Sequence, residues 1–205
     1  MPERKQVPDP TLLRICRYLR ILERHNEPTI SSAAIAEAAG VNAAQVRKDL
    51  SFFGEFGQPG VGYDVEQLHS SLKRMMGLDR ELEVVVVGAG ALGSALINYP
   101  GFERRGFRIV AVFDNNPAKI GDRLRGYEVM AFHRLAEVIA DRDVSIGVIA
   151  VPRQAAQGVA DALIDAGVKA ILNFAPVTLK VPDEVVVRGV DLTVQLETLA
   201  FHLSD

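Results

Sequence analysis

The chain has 205 residues, of which 48% are hydrophobic and 24% charged, a composition typical of globular proteins and unlike that of disordered or fibrous ones. This length corresponds to one large domain or two small ones. The single cysteine, Cys16, excludes an intramolecular disulfide, and the sequence has no zinc-ligand spacing and no apolar run long enough to span a bilayer. With no visible signal peptide, these features predict a cytoplasmic protein without metal or membrane partners.

The first 80 residues show helical periodicity. An apolar stripe at helical spacing predicts a first helix; it consists of Leu12, Ile15, Cys16, Leu19 and Leu22. Helices over 33–39 and 43–50 follow, separated by a turn at Gly40, which is the order of a helix-turn-helix. The aromatic residues and glycines of 53–63 predict a β-hairpin with a mobile tip, and the 65–75 segment predicts a closing amphipathic helix.

From residue 83 the period changes to that of strands and helices in alternation. The β-branched run 84–87 predicts a strand buried on both faces of a parallel sheet, and further strands are predicted over 108–113, 145–151, 169–174 and 185–191. Helical segments between them predict right-handed βαβ units in a doubly wound α/β fold. We therefore predict a winged-helix domain over 1–79, a Rossmann domain over 80–190 and a C-terminal helix over 191–205.

The charge is divided unevenly between these regions. Residues 1–80 carry a net charge of +1 and residues 81–205 a net charge of −4. A net charge of −3 for the whole chain at first argues against DNA binding, because most DNA-binding domains are basic. Since the acidic excess lies in the second region, this objection does not apply to the first.

A glycine-rich motif follows the first buried strand. Residues 88–93 read GAGALG, in which Gly88 permits a tight turn, Gly90 lets the backbone approach a pyrophosphate and Gly93 lets the next helix pack closely. Asp114 ends the second predicted strand, where a carboxylate accepts hydrogen bonds from ribose hydroxyls and repels a 2′-phosphate. The combination predicts NAD(H) binding, although such glycines can also serve packing alone.

The sequence lacks the groups that a dehydrogenase needs beside its cofactor. None of its four tyrosines is followed four residues later by lysine, and none of its histidines is placed as an acid–base group. The nucleotide is therefore predicted to be a regulatory ligand and the protein not to be an enzyme. Two alternatives stay open: a small NAD-dependent oxidoreductase with a fused helical domain, and a DNA-binding regulator that senses another nucleotide such as a CoA-type ligand.

The second helix of the helix-turn-helix has a polar face suited to contacting DNA. That face presents Asn42, Ala44, Gln45, Arg47, Lys48 and Ser51. Arginine and lysine pair with guanine and glutamine pairs with adenine, and small residues in the hairpin tip would permit close approach to a minor groove. A small helical interaction domain with a solvated face is the alternative.

Several motifs together resemble the Rex family of redox-sensing transcriptional repressors. They are QVRKDLS at 45–51, GVGY at 60–63, VGAGALGSAL at 87–96, ILNFAP at 171–176, VDL at 190–192 and LAFH at 199–202. The similarity extends over about 11–203. It implies a homodimer that exchanges C-terminal helices, binds palindromic operators in double-stranded DNA near respiratory and fermentative genes, and is released by NADH while NAD⁺ permits repression.

The resemblance also implies roles for individual residues. Predicted nucleotide contacts are Gly88, Ala89, Gly90, Ala91, Leu92, Gly93, Asp114, Asn115, Ala150, Val151, Pro152, Asn173, Phe174 and Ala175. Predicted DNA contacts are Ser31, Ser32, Asn42, Ala44, Gln45, Arg47, Lys48, Ser51, Gly57, Gln58, Gly60, Gly62 and Tyr63. Arg20, Tyr99 and Asp191 match positions of a switch network between the two sites.

The sequence departs from the family pattern at two places. Gln58 and Pro59 occupy the wing tip where many relatives carry a basic residue, which predicts a weaker minor-groove contact. Leu192 stands where some relatives have an aromatic residue closing over the nicotinamide.

Overall fold

The computed structural model describes residues 7–57 and 60–203, and the chain divides into two compact units, Met1–Arg80 and Glu81–Asp205. Within the described residues, no helix combines the length and the apolar character needed to cross a membrane.

In the N-terminal unit, the described residues form four helices and two short strands. They are α1 (Asp9–Leu22), β1 (Thr29–Ile30), α2 (Ser32–Ala39), α3 (Ala43–Ser51), β2 (Tyr63–Asp64) and α4 (Val65–Met75). Side-chain caps begin α2 and α3: Ser31 accepts from the Ala34 N–H at 3.1 Å, and Asn42 accepts from the Gln45 N–H at 2.8 Å. The apolar faces of all four helices meet in one core that includes Ile15, Ile35, Val46 and Leu72. These helices confirm the predicted helix-turn-helix.

The predicted pairing of the wing is wrong. Strand β2 pairs antiparallel with β1, with Ile30 opposite Tyr63, and residues 53–57 contain no strand. A two-residue strand such as β1 is too short to show alternation in a sequence, so its partner could not be identified from the pattern. Gln58 and Pro59, at which the wing tip was predicted, lie outside the described residues.

The C-terminal unit contains a seven-stranded sheet. Its strands are β3 (Leu82–Val87), β4 (Phe107–Asp114), β5 (Arg123–Leu124), β6 (Tyr127–Ala131), β7 (Val144–Ile149), β8 (Ala170–Asn173) and β9 (Val186–Gly189). They lie in the order β5-β6-β4-β3-β7-β8-β9, and all pairs are parallel except β5 with β6. The six parallel strands therefore have the doubly wound order in which the connection reverses direction between β3 and β7.

Helices cover the two sheet faces unequally. Those that do are α5 (Ala91–Ile97) on one face and α6 (Leu135–Ala140) and α7 (Arg153–Asp165) on the other, whereas the last helix, α8 (Leu192–Phe201), buries no residue. Alternate residues of β3 enter two separate cores: Val85 and Val87 pack with the core of α6 and α7, and Val84 and Val86 pack with that of α5. Strand β6 and helix α6 were not predicted, and Tyr99, one of the predicted switch residues, lies just beyond the end of α5.

Apolar surface remains uncovered in the C-terminal unit. A cleft of about 270 Å³ on the α5 side of the sheet is lined by Val84, Phe102, Phe107, Ile109, Ile146, Val148, Ala170, Ile171, Leu172, Val186 and Arg188. Helix α8 has no buried residue, and Leu196 and Leu199 on it are 67% and 60% exposed. Patches of this kind are typical of surfaces that bind another protein.

Candidate functional site

A cavity lies at the carboxyl ends of β3, β4 and β7, where the strand order reverses. It has a volume of about 770 Å³. The lining is Val87, Gly88, Gly90, Ala91, Leu92, Asp114, Asn115, Asn116, Lys119, Phe132, Ala150, Val151, Pro152, Ala155, Gly158 and Val159. A crevice at this point of a doubly wound sheet is where such folds bind nucleotides, and its volume falls within the range of ligand pockets.

The glycine loop brings β3, α5 and β7 into close contact. Gly88 has φ of 107°, a conformation that favours glycine, and its N–H donates to the Phe113 carbonyl at 2.7 Å. A Cβ on Gly93 would overlap the Gly88 carbonyl oxygen, so α5 can approach the loop only because residue 93 has no side chain. A Cβ on Gly90 would meet open space, which leaves the loop accessible from the cavity.

Asp114 is a buried carboxylate at one end of this cavity. It accepts from the N–H groups of Ala89 and Asn116, both at 2.8 Å, and from the Lys119 ammonium at 3.2 Å. Burial alone would raise its pKa, but these hydrogen bonds and the Lys119 charge lower the pKa below the ordinary value. Asp114 is therefore ionised at neutral pH, and a carboxylate has capacity for about four hydrogen bonds, so it can still accept one from a ligand hydroxyl.

Most of the predicted nucleotide contacts line the cavity. Those that do are Gly88, Gly90, Ala91, Leu92, Asp114, Asn115, Ala150, Val151 and Pro152; those that do not are Ala89, Gly93, Asn173, Phe174 and Ala175. The Asn173 side chain, 2% exposed, closes the turn after β8 by donating to the carbonyls of Ala175 and Val177 and accepting from the Ala175 N–H. Its amide thus fixes the shape of the turn that follows β8.

Sequence reasoning missed two features of the lining. Lys119 lies five residues after Asp114 and forms an ion pair with it, and a lysine so near a predicted ribose-binding carboxylate could have been noticed. Phe132 follows β6, a strand that was not predicted, so nothing in the pattern pointed to it.

The N-terminal unit has a hollow of its own, between the polar face of α3 and the wing, the segment that leads into β2. Its volume is about 530 Å³, and it is lined by Ser31, Ser32, Arg47, Phe56, Gly57, Gly60, Val61, Gly62 and Tyr63. The Arg47 guanidinium donates to the Ser32 hydroxyl at 3.1 Å, which ties α3 to the start of α2. On α3, Lys48 and Ser51 are exposed, whereas Gln45 is half-buried. Predicted DNA contacts from three separate segments therefore surround one hollow.

A buried acidic residue on α3 was not predicted to matter. Asp49 is fully buried and accepts hydrogen bonds from Arg14, Thr11, Tyr18 and Gln45. Burial opposes its ionisation, but the hydrogen bonds from Arg14, Tyr18 and Gln45 together lower its pKa below the ordinary value. Burial, with the Asp49 carboxylate, also raises the pKa of the Tyr18 hydroxyl, which therefore stays protonated as a donor.

The lowered pKa predicts how Asp49 contributes to stability. Its contribution is complete above the pKa of aspartate in the unfolded chain, about 3.9, and is lost as the pH falls through the lower folded-state pKa. We expect thermal unfolding at pH 7 to occur at a lower temperature in Asp49→Asn than in the unsubstituted protein, and this gap to narrow as the pH falls from 4 to 2. Circular dichroism melts measure both. A gap that is constant over this range would contradict the assignment.

The three predicted switch residues are exposed or terminal to helices. Arg20 is exposed on α1, in the N-terminal unit. In the other unit Tyr99 is 57% exposed and packs edge-on against Phe102, and Asp191 caps α8 by accepting from the Thr193 hydroxyl at 2.6 Å and its N–H at 2.9 Å. Those bonds lower the Asp191 pKa. Within the described residues, no cluster of three or more His, Cys, Asp or Glu side chains could hold a metal ion.

Comparison with known proteins finds a family model for each unit, and relatives that match nearly the whole chain. A family model described as a CoA binding domain matches residues 79–177, and one described as a putative DNA-binding protein N-terminus matches residues 6–51. The redox-sensing transcriptional repressor Rex of Carboxydothermus hydrogenoformans is 53% identical over 201 residues, 97% of each chain.

Solved structures agree along nearly the whole chain. RSP, a Rex-family repressor, in complex with β-NAD⁺ and operator DNA has a TM-score of 0.92 and 41% identity, covering 97% of this chain and 93% of that one. RSP in complex with β-NADH has a TM-score of 0.87 and 39% identity, with 97% and 95% covered. These similarities include both units.

Proposed function

The chain belongs to the Rex family of redox-sensing transcriptional repressors, and we propose that it binds a palindromic operator through α3 and leaves it when NADH occupies the cavity at β3, β4 and β7. The observation that best supports this is the presence on one chain of a nucleotide cleft with a buried, ionised Asp114 and a helix-turn-helix with exposed Arg47 and Lys48. The relative RSP was solved in complex with β-NAD⁺ and operator DNA.

In the cavity, we propose that Asp114 accepts a hydrogen bond from the adenosine ribose and that the loop 88–93 faces the pyrophosphate. Gly90 leaves room for that approach, and Ala150, Val151 and Pro152 line the wall at the end of β7. Asn173 ends β8 next to β7, and the following Phe174 N–H donates to the Ile149 carbonyl at 2.9 Å, which joins the ends of these two strands. The bound nucleotide supplies its redox state as the signal.

Asp114→Ala tests the nucleotide assignment. We expect it to weaken NADH binding about 10- to 100-fold, because a hydrogen bond to a charged group contributes ~1.5–3 kcal/mol. NADPH binding should fall less, since the variant also removes a charge that repels the 2′-phosphate. Titration calorimetry with both nucleotides measures the ratio.

Asp114→Asn is the matched control, because it keeps the shape of the side chain and an oxygen that can accept from one of the two N–H groups, of Ala89 or Asn116, while removing the charge. It should bind NADH better than Asp114→Ala does. Unchanged NADH affinity in Asp114→Ala would instead favour a different nucleotide, for which the CoA-binding description of the matched family model gives one candidate.

On the DNA side, we propose that Arg47, Lys48 and Ser51 contact the major groove and that the hollow beside the wing lies against the phosphate backbone. Asn42 and Ala44 are exposed at the start of α3, the part of a recognition helix that meets base edges, and Ser31 and Ser32 lie at the hollow. Gly57, Gly60, Gly62 and Tyr63 form its other side, and Gln58 completes the proposed wing contact.

We further propose that NADH and operator prefer different states of the protein, with Arg20, Tyr99 and Asp191 taking part in the change between them. A ligand shifts such an equilibrium only by its difference in affinity for the two states. The test uses a duplex enriched from a random-sequence library by the nucleotide-free protein, titrated with NADH or NAD⁺ in a mobility-shift assay. NADH should release the duplex at much lower concentration than NAD⁺; equal responses would contradict redox sensing.

We propose a homodimer in which α8 is exchanged between subunits, because α8 has no buried residue and its apolar stripe is exposed. The double variant Leu196→Asp with Leu199→Asp should raise the dimer dissociation constant about 100-fold or more. Burial of each leucine side chain in the dimer contributes ~1.5–3 kcal/mol, and the variant loses both contributions. Light scattering after size exclusion gives the mass. Glu197→Gln, which changes an exposed and already polar position of the same helix, should stay dimeric; unchanged mass in the leucine variant would contradict the exchange.

We propose that the nucleotide is not turned over and that the protein acts in the cytoplasm, where a DNA-bound regulator meets the nicotinamide pool. The relatives are transcriptional repressors. The oxidoreductase alternative requires catalysis, so sustained NADH oxidation with small carbonyl compounds would support it and contradict this proposal.

A further inference from the structure

The carboxylate of Asp49 is the centre of a buried polar cluster between α1 and the proposed recognition helix α3. It is 0% exposed and accepts from Arg14 Nε at 2.6 Å, Arg14 Nη2 at 2.7 Å, Tyr18 Oη at 2.8 Å and Thr11 Oγ1 at 3.2 Å, all on α1. A fifth hydrogen bond comes from Gln45 Nε2 at 2.8 Å, one turn earlier on α3.

The geometry of this cluster is directional. Arg14 binds through two nitrogens, one to each carboxylate oxygen, and such a planar two-point contact fixes orientation as well as distance. The neighbouring apolar contacts of Val46 and Leu50 also hold α3 but tolerate small displacements more easily. A shift of α3 along α1 would break several charged hydrogen bonds at once and leave a buried charge without partners, which is strongly unfavourable.

Asp49 immediately follows Arg47 and Lys48, the two cations on the polar face of α3. Because the backbone of one helical turn is rigid, a fixed Asp49 also fixes the directions in which Arg47 and Lys48 leave α3. Gln45 lies on the same turn, and its amide nitrogen is directed at Asp49 although the sequence suggested a contact with adenine.

We propose that the Asp49 cluster is a positioning device that sets the register of α3 on α1, and that Gln45 serves this cluster and does not read a base. The inference rests on the proposed function, since it concerns how α3 is held for operator binding. Specificity is then carried by Arg47, Lys48 and the start of α3.

Two variants test the positioning role. Asp49→Asn keeps the shape and removes the charge, and Tyr18→Phe removes one hydroxyl and keeps the ring. In Asp49→Asn, affinity for the enriched duplex should fall about tenfold or more. A tenfold change corresponds to the smallest free energy that a hydrogen bond to a charged group typically contributes. Tyr18→Phe should show a smaller loss of the same kind. Affinity for an unrelated duplex of equal length should change less than about twofold, because non-specific binding depends on charge.

Gln45→Ala distinguishes positioning from base reading. Its binding is measured on a set of duplexes that each carry one base-pair substitution. Positioning predicts a similar loss on every duplex, whereas a base-reading residue loses discrimination at one position in each half-site. Relaxed preference confined to one position would overturn the assignment of Gln45.

The other possible results separate a failure of the positioning role from a failure of the proposed function. Operator affinity equal to that of the unsubstituted protein in folded Asp49→Asn and Tyr18→Phe, or equal losses on operator and unrelated DNA, would overturn the positioning role. If Asp49→Asn does not fold by circular dichroism, Tyr18→Phe and Gln45→Ala decide. If the unsubstituted protein enriches no duplex, the proposed function fails and not this inference. NADH affinity should stay within about twofold in every variant, because the cluster lies outside the nucleotide cavity.

Discussion

Gly93→Ala is expected to give a protein that still binds its operator but no longer responds to NADH. A Cβ at position 93 would overlap the carbonyl oxygen of Gly88, which is backbone and cannot rotate away. The loop and α5 must separate, and overpacking of this kind costs ~1–3 kcal/mol. We expect NADH affinity to fall about 10- to 100-fold, with fluorescence of bound NADH as the measurement.

Gly189→Ala is the matched control, because its Cβ would meet nothing within 4 Å and residue 189 does not line the nucleotide cavity. It should bind NADH like the unsubstituted protein. The N-terminal unit does not contain the substitution, so operator binding without nucleotide should be unchanged in both variants. NADH affinity within twofold of normal in Gly93→Ala would contradict the proposed location of the nucleotide.

Lys48→Ala is expected to have the opposite consequence, a loss of operator binding with NADH binding preserved. Lys48 is exposed on α3, and a contact to a base or phosphate contributes ~1–3 kcal/mol. In a homodimer each substitution acts twice, so the operator dissociation constant should rise about 100-fold or more. Fluorescence anisotropy with a labelled duplex measures it.

Arg74→Ala removes the same charge from an exposed position on a different helix of the same unit, α4. It should weaken operator binding far less than Lys48→Ala does. Equal losses in the two variants would show that general charge, and not the position of Lys48 on α3, determines affinity. A simultaneous loss of NADH affinity in Lys48→Ala would contradict the division of roles between the units.

The fold was predicted where long periodic segments carry the signal. The β-branched run of β3, the glycine loop and the apolar stripe of α1 each follow from local physical preferences, and the structure confirms them. Strand β1 has two residues and α6 has six, too few for a period to stand out. The wing was therefore assigned the wrong partner, because its pairing depends on residues about 30 positions away.

The site was harder to predict for a similar reason. Asp114 could be identified because it ends a strand at a set distance from the glycines, whereas Asp49 was assigned no role. Its burial depends on Arg14 and Tyr18, which lie 35 and 31 residues earlier in the chain. Pattern within a helix gives no information about such partners, so the interpretation of Gln45 as a base contact overlooked its hydrogen bond to Asp49.

NADH and operator each weaken the binding of the other to this protein, and thermodynamic linkage fixes how the two effects compare. If NADH lowers operator affinity by some factor, operator must lower NADH affinity by the same factor. The decisive measurement is NADH affinity with and without a saturating amount of the enriched duplex, compared with operator affinity with and without saturating NADH. Equal factors, each well above one, are predicted; NADH affinity that is unchanged by the duplex would contradict the account.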